Sequence, residues 1–93
     1  MKHKSYKSIE ELGRAWKMPE SEIVRIEIFT SLVVAIQKRI KKLGLTHAEA
    51  AKKTGIGRTV ITAVMNGNVL HMTIDRLITI ANGIGLKVTL KVA

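Results

Sequence analysis

Arg58, Thr59 and Thr62 stand within five residues of one another in the short amphipathic stretch "RTVITAVM". A guanidinium and two hydroxyls supply hydrogen-bond donors and acceptors, with no general base beside them to make a nucleophile. The chemistry on offer is recognition. The rest of the chain adds no catalytic pattern: His3, His47 and His71 are too scattered for zinc-ligand spacing, and there is no cysteine. No G-x-S-x-G elbow, phosphate-binding P-loop or convincing carboxylate pair occurs. "GIGLKV" lacks the third glycine and the following helix of a nucleotide loop, and Trp16 and Met18 read as core cover rather than a ligand cage. The expectation is a protein that is no enzyme and carries neither cofactor nor metal.

Those three side chains need a helix to present them, and the surrounding sequence breaks one helix to start another. In "LTHAEAAKKTGIGRTVITAVMNG", Thr46 is an N-cap and Glu49 completes a capping box, which predicts a helix from His47 to about Thr54. Small Ala51 lets another helix approach. Gly55 supplies a left-handed stop, Ile56 plugs the corner, and Gly57 caps a second helix from Arg58 to Asn66, which Gly67 ends. Val60, Ile61 and Val64 then face inward, leaving Arg58, Thr59, Thr62 and Ala63 outside and Asn66 near the end. This is the pattern of a helix-turn-helix, in which the first helix crosses a phosphate backbone and the second enters the major groove N-terminus first. The break exists to aim the second helix.

Upstream, residues 1–7 read as a basic arm and residues 8–17 as a short helix with Glu10 and Glu11 in its first turn and Leu12 and Trp16 on one face. Met18-Pro19 ends it. A long helix starts at Glu20, Ser21 and Glu22, with Phe29, Val33, Ile36, Ile40 and Leu43 as its core stripe and Ile26, Ile28 and Leu32 partly off it. "VRIEI" alternates like a strand, yet helical spacing continues through it without a turn residue, so it is read as helix. Lys38, Arg39, Lys41 and Lys42 suit the C-terminal turns, and Gly44 is the stop.

Downstream, Thr73 caps a helix through Ala81, with Met72 placed to staple it, Leu77 and Ile80 buried, and Gly83 with Ile84 as the stop. In "LKVTLKVA", Leu86, Val88, Leu90 and Val92 alternate with Lys87, Thr89 and Lys91, the period of a strand with one buried face. With no second strand to pair with, such a strand calls for a second copy of the chain, another protein's sheet edge, or a life as a frayed tail; a two-fold homodimer is the expectation.

The chain is 93 residues long and 46% apolar, one small domain's worth of core. Sixteen Lys and Arg against seven Asp and Glu give +9, and the excess is not spread evenly. Residues 1–27 hold six basic and five acidic side chains, residues 28–93 ten and two, so the polyanion-binding footprint belongs to the second part. "MKHKSYK" is followed by "SIEELGRAWKMPESE" where a signal peptide would need an apolar run, and "IFTSLVVAI" is far below the ~20 residues of a membrane span. The expectation is a soluble cytoplasmic protein with no membrane partner.

At residues 43–86 the chain resembles the Cro/repressor (XRE) class of helix-turn-helix regulators, through "LTHAEAAKKTGIGRTVITAVMNG" and the following "IDRLITIANGIGLKV". "MPESEIVRIEIFTSLVVAIQKRIKKLGLT" and the terminal strand are similar to the HigA-like antitoxin branch, and the resemblance spans about residues 9–92. It departs from the common pattern at His47, where Gln is usual, and at Ala50, where a larger apolar side chain is usual. The resemblance implies a mainly α, lambda-repressor-like bundle of about five helices with a C-terminal dimerising β-strand. Residues 1–20 would be the arm and short helix, 21–85 the helix-turn-helix domain with its motif at 46–66, and 86–93 the dimerisation strand carrying Leu86, Val88, Leu90 and Val92. It further implies a homodimer on a palindromic double-stranded DNA operator, autorepression and, in antitoxin members, capture of a RelE/HigB-like ribonuclease toxin.

Site residues follow from the resemblance position by position. Arg58 either reads guanine or grips phosphate; Thr59 and Thr62 reach base edges or thymine methyls, or stand idle; Ala63 offers a methyl contact. Thr46, His47 and Asn66 fit phosphate positioning, with capping as the plain alternative for Thr46. Asn68 and His71 either approach the backbone or belong to a surface loop, and Lys52 and Lys53 add to the field. Lys2, Lys4 and Lys7 either enter a minor groove or form a tail.

Overall fold

The computed structural model describes residues 19–90 and residue 92. It is mainly helical, with α1 (Glu20–Leu43), α2 (His47–Thr54), α3 (Arg58–Met65) and α4 (Ile74–Gly83) in chain order. The arm and the helix expected over residues 1–17 lie outside the described residues. Contacts divide the chain into two compact units, Met1–Ser31 and Leu32–Ala93.

In the first unit, the Pro19 carbonyl accepts the Glu22 and Ile23 amides at 3.0 and 3.2 Å and so opens α1. Glu20 and Glu22 occupy the first turn, where acids complement the helix dipole. "VRIEI" is helical throughout: its alternation is overruled because the i to i−4 ladder runs through it unbroken. Ile23 is buried, while Val24 and Ile28 are exposed.

The core of the second unit is apolar and drawn from every helix: Leu32, Val33, Ile36 and Ile40, then Ala50, then Ile61 and Val64, then Leu77, Ile80, Ala81 and, just past α4, Ile84. Two details correct the sequence reading of the stripe. Leu43 is 41% exposed because it is the last residue of α1, one position before the chain turns at Gly44, and Ile40 is the last side chain aimed inward. Leu32, expected partly off the stripe, is buried with it.

In α2 the small buried side chain is Ala50 rather than Ala51, which is half-buried. That explains the missing bulk at position 50, since a wider side chain there would push α2 off its neighbours α3 and α4. The end of α4 also differs from expectation. The helix runs through Gly83 and stops in a Schellman motif, in which the Leu86 amide reaches Ala81 O at 2.9 Å and the Gly85 amide reaches Asn82 O at 3.1 Å. Gly85 takes the left-handed φ of 85° that this motif requires. Gly83 is instead a packing residue: a Cβ there would lie 2.8 Å from Thr54 Cα.

Among the described residues there is no strand; Leu86–Leu90 carry neither helix nor ladder. Leu86 is half-buried, whereas Val88, Leu90 and Val92 are 39, 78 and 87% exposed. Within those residues no helix is long and apolar enough to cross a membrane.

Candidate nucleic-acid interface

The hinge of the site is the turn between α2 and α3. Thr46 caps α2 with both halves of the capping box in place: its hydroxyl accepts the Glu49 amide at 3.0 Å, and Glu49 Oε1 accepts the Thr46 amide at 2.8 Å. Gly55 ends α2 with φ 74°, its amide bonded to Ala51 O at 2.9 Å. Thr54 then clamps the corner, its hydroxyl donating to Ala50 O at 2.8 Å and accepting the Ile56 amide at 3.2 Å. This second use of Thr54 was not read from the sequence, where it was only the end of a helix.

Beyond the corner, Gly57 caps α3 in an extended conformation with no side-chain cap bond. Ile61 and Val64 are fully buried and Val60 is half-buried, which fixes the roll of α3. Arg58 and Thr59 are exposed at its start, and Thr62 and Ala63 are half-buried one turn on. Helix α3 therefore offers its first turn and one flank for contact. Asn66 is the C-cap, exposed, with its amide on Thr62 O at 3.0 Å.

Two residues expected to act separately are joined. His47 Nδ1 lies 2.8 Å from Thr62 Oγ1, so the first residue of α2 is hydrogen-bonded to the middle of α3. A third element also holds α3: Gln37 of α1 donates from Nε2 to Val64 O at 2.8 Å, a second donor to a last-turn carbonyl that also accepts the Gly67 amide at 3.1 Å. Sequence reasoning missed Gln37, whose only signal was a neutral polar side chain beside the basic run at the end of α1.

After α3, Asn68 and His71 line a shallow concavity of about 450 Å³ together with Val60 of α3 and Arg76 of α4. Arg76, exposed in the first turn of α4, was also not singled out; it adds a cation to the rim formed by the loop. Its amide is held by the Thr73 cap at 3.2 Å. Lys52 and Lys53 are exposed at the end of α2. Among the described residues no three His, Asp or Glu side chains gather as metal ligands would.

No curated protein and no solved structure matches the chain. Residues 14–93 match the family described as a helix-turn-helix domain, which takes in the two-helix corner, the long helix before it and the helix after it. The chain belongs to this family of DNA-binding helix-turn-helix domains.

Proposed function

We propose that the protein is a sequence-specific transcriptional regulator of the XRE type, without catalytic activity, that binds a palindromic operator as a homodimer and represses its own promoter. The observation that carries this reading is the exposure of Arg58 and Thr59 on the first turn of α3, the part of a recognition helix that meets base edges. The +8 of residues 28–93 supplies the non-specific attraction on which base reading is superimposed. Two copies would set their recognition helices about one DNA turn, ~34 Å, apart. The alternating apolar side chains Val88, Leu90 and Val92, exposed in the single chain, support pairing of residues 86–92 across a two-fold axis.

The finer reading is an antitoxin whose partner is a RelE/HigB-like ribonuclease toxin. Against a basic toxin a chain of net charge +9 must rely on apolar contact, and the exposed Val24 and Ile28 in the near-neutral first unit favour that region. Co-purification with the product of the adjacent reading frame tests it, and loss of capture on deleting residues 1–27 would locate it.

The deciding experiment for DNA is fluorescence anisotropy on the protein's own upstream duplex and on a shuffled duplex of equal length, at several salt concentrations. Preference for the upstream duplex by about 10³-fold or more, with a steep salt slope on both, is the expected result. Equal, weak, salt-sensitive binding to both would overturn base reading.

A further inference from the structure

We propose that His47 is a specificity-determining residue that acts through Thr62, by setting whether the Thr62 hydroxyl can donate a hydrogen bond to a base; this rests on the base-reading function above. The 2.8 Å contact between His47 Nδ1 and Thr62 Oγ1 can run in either direction. When Nδ1 is unprotonated, the Thr62 O–H is spent on it, and Oγ1 has only lone pairs left to offer. Such a hydroxyl pairs with the amino groups of adenine or cytosine in the major groove. When Nδ1 carries a proton, it donates to Oγ1 and the Thr62 O–H is released. That hydroxyl can then donate to guanine O6 or N7, to adenine N7 or to thymine O4, and cytosine, which offers only its amino group, is the base it cannot serve as a donor.

The ring that touches a phosphate must present N–H from Nε2, because phosphate oxygens only accept. A neutral ring in that role therefore has Nδ1 unprotonated, and Thr62 is confined to accepting. The imidazolium carries both protons, so protonation keeps the phosphate bond and frees the Thr62 O–H. One proton on His47 changes what another residue reads.

The helices packed on α2 are α3 and α4. Their charged side chains are Arg58 on α3 and Asp75 and Arg76 on α4, while α2 itself carries Glu49, Lys52 and Lys53. Glu49 is tied to the Thr46 amide at 2.8 Å, and its carboxylate only accepts. His71, in the loop after α3, is a second histidine, and a Thr62→Val variant leaves it untouched.

The test is selection from a duplex library with randomised half-sites, at about pH 8 and about pH 5.5, with wild type, Thr62→Val and His47→Gln. In wild type, one base position should shift from cytosine towards guanine or thymine on acidification, by about fivefold or more in relative affinity. Thr62→Val should lose that shift while keeping any general gain in affinity from added charge. His47→Gln should fix one preference at both pH values, since its amide does not titrate. A wild-type preference identical at the two pH values, or a shift that survives in Thr62→Val, overturns the inference and leaves base reading standing. Absence of any base preference at either pH overturns both.

Discussion

Gly83 and Thr54 meet where α4 crosses the end of α2, and a Cβ on Gly83 would lie 2.8 Å from both Cα and Cγ2 of Thr54. The backbone atom cannot move without shifting the corner that Thr54 clamps. Gly83→Ala should therefore destabilise the domain by about 1–3 kcal/mol. The check is a urea unfolding midpoint. Adding Thr54→Ser, which removes Cγ2 and keeps the hydroxyl, should recover part of the loss.

Gln37→Leu should strip Val64 O of its side-chain donor and leave it the Gly67 amide at 3.1 Å, at a cost of about 0.5–1.5 kcal/mol for one lost hydrogen bond. Because that bond holds the end of α3, affinity for the upstream duplex should fall as well. Binding measured well below the unfolding transition separates the two effects.

Gly85→Ala meets two obstacles, the left-handed φ of 85° and the Arg39 guanidinium, whose Nη2 lies 3.0 Å from the position of the new Cβ. Arg39 Nε also donates to Ile84 O at 3.0 Å, so displacing it costs a hydrogen bond at the end of α4. Backbone strain alone is worth about 1–2 kcal/mol. In a double-mutant cycle with Arg39→Ala, the two losses should sum to more than the double variant shows.

Arg58→Ala should weaken binding to the upstream duplex more than binding to a shuffled one, by about 1–3 kcal/mol in the difference. Anisotropy on both duplexes reads it. Equal losses would reduce Arg58 to a phosphate contact.

Val88→Pro removes an amide in the middle of residues 86–92, where a strand ladder would need it. Sedimentation equilibrium should find monomers for this variant and dimers for wild type. An unchanged dimer would move the interface elsewhere.

What could be read from the sequence was whatever depends on near neighbours. The Thr46–Glu49 box spans three residues, and the Gly55 stop and Thr73 cap are each settled within one turn. What could not be read joins a side chain to a distant backbone carbonyl: Gln37 to Val64 across 27 positions, Arg39 to Ile84 across 45. A carbonyl belongs to every residue, so nothing at position 64 or 84 announces that it will be sought. Gly83 misled for a related reason. Near a helix end glycine reads as a stop, and only the approach of Thr54 reveals it as a clearance. In the candidate interface, the types of His47 and Thr62 were legible and their bond was not, because it depends on the angle between α2 and α3.

Helix α3 has eight residues, too few to hold itself together alone, since isolated helices under about 12–15 residues are marginal in water. It is held at Thr62 by His47, at Val64 by Gln37, and beneath by the burial of Ile61 and Val64. Arg58, Thr59 and Ala63 take no part in those side-chain holds. At those three positions the contact surface can be exchanged separately from its mounting, whereas at Thr62 the two coincide. Substitutions at Arg58 and Thr59, both exposed, would leave the His47 and Gln37 holds and the corner beneath them in place.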